Sequence, residues 1–259
     1  MQSADNKTLR VVQITDSHLF ANPLSRLNGL DTLYSLQQVM QSVITSQPDI
    51  IIFTGDLVDK PTLSAYQQVK VVIEQSPVPV YCLAGNHDEP EQLKQSLSSD
   101  KIRVDDTALV GDWQLIFLNS VQPGTHGGKL ETRHLDMLNR KLSKHPTRPA
   151  LICIHHHPVP INSAWMDAMG LQQADELFVV LDRYPQVKAI VWGHIHQEFE
   201  HTRQGVMLLG SPSTCVQFMP EASEFSLDDK PPGYRWLNLH NNGKIETGVT
   251  YLKSFNPPD

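Results

Sequence analysis

Five times in this chain a short apolar run ends in a cluster of oxygen and nitrogen donors. LRVVQITDSH ends in Asp16 and His18, DIIIFTGDLVD in Asp56 and Asp59, and VPVYCLAGNHD in Asn86, His87 and Asp88. ALICIHHHP ends in His155, His156 and His157, and VKAIVWGHIH ends in His194 and His196. Runs of this kind, rich in Val and Ile, read as strands, and those without polar alternation as strands covered on both faces. In open α/β sheets ligands sit beyond the carboxyl ends of the strands, so one fold-level assumption gathers all five clusters. Extended backbone alternates its side chains, which predicts that His194 and His196 leave the chain on the same side. Gly193, lacking a Cβ, lets the backbone turn and come close to what they hold.

Between these runs, apolar spacing predicts helices over 30–47, 62–75, 92–97, 131–144 and 171–184. Asp31 or Thr32 is the N-cap of the first, and Pro90 opens the third. Strands over 106–110 and 113–119 read as a hairpin turned by Gly111-Asp112, with a flexible loop at 124–128. Alternating β and α elements imply a largely parallel core sheet. Late strands at 199–202, 206–209, 236–240 and 244–252 look antiparallel and imply a second sheet beside it. With helices outside both, the expected fold class is α/β, a four-layer αββα sandwich. Nothing marks a boundary, so one domain over 1–259 is expected, with a core at 9–210 and a C-terminal loop and strands at 211–255.

Composition narrows the function. The formal charge is −7 over 259 residues and no basic cluster is present, which argues against nucleic acid as a partner. No run approaches the roughly 18 apolar residues of a membrane span. The start, MQSADNKTLR, has no apolar segment of a secretory signal, and three cysteines are too few for a disulfide framework, so a cytoplasmic location is predicted. Cys82 and Cys153 sit within apolar strands, where free buried thiols are common. Of twelve histidines, half (His18, His87, His155, His156, His194 and His196) lie at the strand ends.

Asp16, His18, Asp56, Asn86, His155, His194 and His196 mix carboxylate, carboxamide and imidazole with no thiolate, a set that suits Fe, Mn or Zn better than Ca. Seven ligands exceed one tetrahedral ion, whereas two ions about 3.5–4 Å apart sharing a carboxylate would use them all. Without cations, Asp16 and Asp56 buried together should repel until one protonates. A cation pair removes that conflict and brings the pKa of a bound water from ~15.7 toward ~7.

DSH (Asp16 to His18), GDLVD (Gly55 to Asp59), GNHD (Gly85 to Asp88), HHHP (His155 to Pro158) and GHIH (Gly193 to His196) resemble the signature of the calcineurin-like metallophosphoesterases. The resemblance spans Val11 to His196 and implies that family's αββα sandwich. It implies a first metal on Asp16, His18 and His196, a second on Asn86, His155 and His194, and Asp56 bridging. The metals implied are two divalent or trivalent ions, Fe or Mn first, with Zn or Co as alternatives. The ligand in HHHP is assigned to His155, with His156 behind it or on the substrate side. His87 is implied as the catalytic residue that faces the phosphate. His18, Asn86, His87 and His196 would touch substrate.

WGHIHQE, GSPSTCVQF, PPGYRWL, HLFANP and HHHPVPINSAWMD are similar to the class III cyclic nucleotide phosphodiesterases of bacteria within that family. This implies hydrolysis of 3′,5′-cyclic AMP to 5′-AMP by a hydroxide held between two ions, in line with the 3′ oxygen. The rivals are another diesterase or pyrophosphatase of the family, acting on glycerophosphodiesters or nucleotide-linked lipids, a nuclease, which the acidic balance and missing basic groove disfavour, and a non-catalytic scaffold. A monomer or a homodimer is expected. Thr214, Cys215 and Gln217 are candidates for a substrate wall, and Trp165, Met166 and Met169 for a lid or a subunit contact.

Overall fold

The computed structural model describes residues 8–253 and 255; Met1 to Lys7, most of the polar start in which no signal segment is read, lie outside them. Two six-stranded sheets carry the chain. In the first the order is Ile245–Tyr251, Gly233–Leu239, Leu9–Ile14, Ile50–Thr54, Val80–Leu83 and Ile102–Arg103. In the second it is Phe199–Arg203, Val206–Gly210, Val187–Trp192, Ala150–Ile154, Trp113–Leu118 and Thr107–Val110. Four neighbouring strands of each sheet are parallel, and antiparallel strands complete the edges.

The continuous apolar runs are explained by a core on each face. Ile50 and Ile52 face the layer between the sheets, with Leu151, Cys153, Ala189 and Val191 from the other sheet. Ile51 and Phe53 point the other way, against Leu36, Val39 and Val69 of the helices Thr32–Thr45 and Leu63–Ile73. Ile152, Ile154 and Ile190 likewise meet Leu138, Leu142 and Leu177 of the helices Thr132–Lys144 and Ala174–Leu181. With a side-chain period of two, every residue of such a strand is buried against one layer or the other. The result is the expected αββα sandwich of two mixed sheets.

Local chemistry sets the element ends. Asp31 caps the first helix, its Oδ1 accepting the Tyr34 amide at 2.9 Å, and the Thr62 hydroxyl accepts the Ala65 amide at the start of the second. The helix expected from 171 instead starts at Ala174, because Leu171–Gln172 pairs as a short strand with Gly128–Lys129 and Gln173 turns at φ +54°. The late strands also depart from expectation. They do not make a sheet of their own: Val206–Gly210 runs parallel to Val187–Trp192 in the second sheet, and Gly233–Leu239 runs antiparallel to Leu9–Ile14 in the first. Periodicity tells a strand which residues face a core, but not which strand lies beside it.

One side chain ties the sheets together at this edge. Arg235, on Gly233–Leu239, is fully buried. Its Nη1 donates to Glu200 Oε1 at 2.6 Å, and its Nη2 to the Gly210 carbonyl at 2.9 Å, both on the other sheet.

Candidate metal centre

Each donor cluster lies just past the carboxyl end of a parallel strand, and all five meet at one end of the sandwich. The backbone there is strained: Asp16, His18, Asp56, His194 and His196 all have φ between +46° and +68°. Such conformations cost non-glycine residues about 1–3 kcal/mol each and persist where the surroundings over-determine them. Here they do. The Asp16 and His18 amides donate to the Gly55 and Asp56 carbonyls at 3.0 Å, and the His194 amide donates to the Asp16 carboxylate. A Cβ on Gly193 would fall against Asp16 Oδ2, and one on Gly85 against the Asp56 carboxylate, so both glycines are required by close approach.

This strain corrects one sequence expectation. His194 and His196 are not on extended backbone and do not share a side. His196 joins Asp16 and His18, while His194 turns to His155 and His156. The two groups are joined by Asp56. Its Oδ2 lies 3.7 Å from His18 Nε2 and 3.4 Å from His155 Nε2, so one carboxylate oxygen faces both.

The ring orientations are fixed from behind. His155 Nδ1 and His196 Nδ1 donate to the Thr54 and Val216 carbonyls at 2.8 Å, and His194 Nε2 to the Met169 carbonyl at 3.1 Å. A carbonyl only accepts, so each neutral ring presents a lone pair on its other nitrogen. Those lone pairs meet other acceptors: His155 Nε2 is 3.1 Å from Asn86 Oδ1, and His196 Nε2 is 3.2 Å from His18 Nε2. Nitrogen and oxygen lone pairs converging inside a buried site are the arrangement a cation satisfies, so this donor set fits two metal ions.

In the cation-free chain, protons take that place on the imidazoles. Burial opposes charge on His155, but the Asp56 carboxylate overrides it and raises the ring to about 9; Asp16 raises His196 well above its usual range in the same way. Burial likewise pushes both carboxyls up, yet His196 and His155 hold Asp16 and Asp56 below the usual range. Neither aspartate is forced to protonate by the other, contrary to the sequence argument, because imidazolium charges stand between them. Burial drives His18 down to about 3 and His156 and His194 well below the ordinary value.

His156 is committed elsewhere. Its Nδ1 meets Ser120 Oγ at 2.8 Å and its Nε2 the His126 carbonyl at 3.1 Å, so it secures the 124–128 loop. His87 donates from Nδ1 to the Asp59 carbonyl at 2.9 Å and packs edge-on against His18, and its Nε2 has no hydrogen-bond partner among the described residues. Asp88 braces two loops: its Oδ2 accepts the amides of Gly85 and Leu57 at 2.9 and 3.2 Å. Burial and then the Asp56 charge push its carboxyl up to about 7.

A cleft of about 350 Å³ opens onto this floor, lined among others by Asn86, His87, Trp165, Met169 and Phe218. Thr214, Cys215 and Gln217, expected at a substrate wall, are buried behind it, and Val216 and Phe218 line the cleft instead. Sequence reading also passed over His126, an exposed cleft residue whose ring lies 3.3 Å from the Asn86 amide. A histidine among glycines, in a loop with little to pack, was the available signal.

The profile of the calcineurin-like phosphoesterases matches residues 9–198, the stretch that holds all five clusters. The chain belongs to that family. It is 43% identical over 249 residues to the 3′,5′-cyclic adenosine monophosphate phosphodiesterase CpdA of Pseudomonas aeruginosa, covering 95% of this chain and 91% of the relative. It is 39% identical to the CpdA of Escherichia coli K12, covering 96% and 92%, and 38% identical to a 3′,5′-cyclic-nucleotide phosphodiesterase of Nostoc, covering 93% and 91%. A dimetal phosphatase from Danio rerio has the same fold at 12% identity and a TM-score of 0.64, covering 92% of this chain and 98% of that one. Among the described residues no helix is long and apolar enough to cross a membrane.

Proposed function

We propose that this protein hydrolyses 3′,5′-cyclic AMP to 5′-AMP at a two-metal site. Asp16, His18 and His196 would hold one ion, and Asn86, His155 and His194 would hold the other. The observation that carries the reading is the single oxygen of Asp56 facing His18 and His155, the position of a bridging ligand. The fully matched donor set speaks against a non-catalytic scaffold, and the CpdA relatives point to cyclic AMP. Fe or Mn suits the mixed oxygen and imidazole set, with Zn or Co as substitutes.

When bound, two such ions neutralise phosphate oxygens and acidify water enough for it to attack phosphorus near neutral pH. The chain's own residues supply orientation and proton transfer. The Asn86 side chain offers Oδ1 toward His155 while its amide nitrogen stays with His126. His87 is held by the Asp59 carbonyl, so Nε2 is the atom that stabilises the phosphate or gives a proton to the departing 3′ oxygen. The bond from phosphorus to the 3′ oxygen breaks and the phosphate stays on the 5′ carbon. No thiol takes part: Cys82, Cys153 and Cys215 are buried, and burial raises the first two. The free thiols also suit a reducing cytoplasm, and the pairing of the late strand Gly233–Leu239 with Leu9–Ile14 supports reading the chain as one domain.

Steady-state hydrolysis of cyclic AMP, cyclic GMP and a glycerophosphodiester by one Mn-loaded preparation tests this. Turnover of cyclic AMP with high kcat/KM is expected. Turnover confined to the glycerophosphodiester would replace the substrate assignment.

A further inference from the structure

The cleft has a polar floor and an apolar wall, and the wall is aromatic. Trp165, Phe218 and Phe225 contact one another edge to face, with ring centroids 5.2, 5.4 and 5.4 Å apart. All three line the cleft, and Phe225 is 54% exposed. Three contiguous half-open rings beside a functional cleft mark a surface for a ligand more than a packing need.

We infer that this wall is a nucleobase platform, on which the purine of a cyclic nucleotide stacks while its phosphate lies on the histidine and aspartate floor. The inference rests on the cyclic-nucleotide reading above and names what recognises the base.

Position argues for it. Phe218 stacks on His196 with centroids 4.1 Å apart and planes 5° from parallel. The wall therefore begins one ring thickness from an imidazole of the metal cluster. A ribose fused to a cyclic phosphate separates phosphorus from the base by a similar short span, so one ligand reaches both surfaces.

Construction argues for it as well. The wall comes from two segments far apart in sequence, each independently anchored. The Phe218 amide donates to the His196 carbonyl at 3.0 Å, and Gln217–Phe218 pairs with Leu227–Asp228 to close the turn that carries Phe225. Trp165 lies on the short helix Ala164–Asp167, which Asp167 ties back through the Ile161 amide at 2.8 Å.

Charge argues for it too. Among the described residues, no lysine or arginine lines the cleft. Apart from the metal floor, the organic part of a substrate is held there without ionic help. A flat aromatic ring gains most from such a wall, because stacking on aromatic side chains accepts any base and is strong for each base held.

The test compares wild type with Phe225→Ala, Trp165→Ala and the conservative Phe225→Tyr, all Mn-loaded. Substrates are cyclic AMP and a 3′,5′-cyclic phosphate of 1-deoxyribose, which has no base. Calorimetric Kd values for 5′-AMP and ribose 5-phosphate give a readout independent of turnover. Each alanine variant should lower the ratio of kcat/KM for cyclic AMP to that for the base-free substrate by about 5- to 100-fold, mainly through KM. The preference for 5′-AMP over ribose 5-phosphate should fall in parallel, and Phe225→Tyr should restore both. If wild type hydrolyses cyclic AMP and the ratios stay unchanged in both alanine variants, the platform is refuted while the cyclic-nucleotide reading stands. If wild type does not hydrolyse cyclic AMP, that reading falls and the platform with it. Phe225 is exposed, so its alanine variant stays folded and the comparison remains decisive even if Trp165→Ala is unstable.

Discussion

Asp56 holds three relations at once. Its Oδ1 accepts the His87 amide at 2.8 Å, its carbonyl accepts the His18 amide, and its Oδ2 faces His18 and His155. Asp56→Ala should therefore remove metal loading and turnover together. Loss of metal affinity should exceed the 10–100-fold typical of groups that only orient a ligand, roughly 10³-fold or more, read by metal content after dialysis. A variant that keeps two ions per chain and full kcat would end the bridge assignment. Asp88 is a contrasting carboxylate in the same neighbourhood. Its Oδ2 serves two buried amides and its Oδ1 accepts the Tyr66 hydroxyl at 3.3 Å, while burial first and the Asp56 charge second oppose its ionisation. Asp88→Asn should keep stability within about 1 kcal/mol, since a carboxamide oxygen still accepts both amides and its nitrogen meets only the Tyr66 hydroxyl, which accepts as well as donates, while Asp88→Ala orphans these groups and should cost about 3 kcal/mol in urea unfolding. Equal losses in the two variants would show that the ionised carboxylate, and not the hydrogen bonding, matters. The residue types of the site were legible in sequence because carboxamide and imidazole past a strand-ending glycine have little to offer packing. Their backbone was not: positive φ at Asp16, His194 and His196 is imposed by partners from other loops, which no local pattern encodes.

Among the elements, the closing strand Gly233–Leu239 is held across the sandwich by an asymmetric pair. Arg235 is fully buried, while Glu200 is 45% exposed at the side chain. Removing Glu200 leaves a guanidinium inside the protein without its counter-charge; removing Arg235 leaves a carboxylate that water can solvate. Glu200→Ala should thus cost about 3–5 kcal/mol, and Arg235→Met, which fills the volume with an apolar chain, about 2 kcal/mol or less. Thermal melts of the two variants check this, at about 2–4 °C per kcal/mol for a chain of this size. A larger drop for Arg235→Met would mean that the bonds to Gly210 and Thr247, and not charge, hold the strand. The elements themselves were largely legible. Strand ends at Ile14, Thr54, Leu83, Ile154 and Trp192 fall within a residue of where apolar runs meet polar donors. What escaped was partnership: two late strands, Val206–Gly210 and Gly233–Leu239, join different sheets through contacts far away in the chain. The Ile102–Arg103 strand escaped as well, since two residues carry no periodicity.

At the scale of the whole molecule, a site built from buried neutral imidazoles makes the fold acid-sensitive. Burial holds His18 at about 3 and His157 at about 4, and His156 and His194 well below the ordinary value, so all four stay neutral in the folded chain near pH 5. On unfolding they return to about 6.5 and bind protons. Stability rises with pH wherever the unfolded state binds more protons, so between about pH 6.5 and 4 these groups lose stability as pH falls. Asp88 works against them: raised to about 7, it carries in that window a proton that the unfolded chain gives up. His155 and His196, raised, are protonated in both states below 6.5, and their contribution is lost only as pH rises through the folded value, about 9 for His155. Four groups against one leave a net uptake of about three protons on unfolding, roughly 4 kcal/mol for each pH unit at the steepest point. Cations held by His18 and His194 would strengthen this dependence, because those two imidazoles must be unprotonated to coordinate. The chelated protein should accordingly lose most of its urea stability between pH 6.5 and 4.5, with a midpoint that falls steeply. His157→Phe, which replaces one neutral ring stacked on His194 by another ring, should reduce that slope by about one proton. A midpoint that holds constant or climbs toward pH 4.5 would mean the buried histidines are already charged in the folded chain, and that the lone pairs offered to a metal are not there.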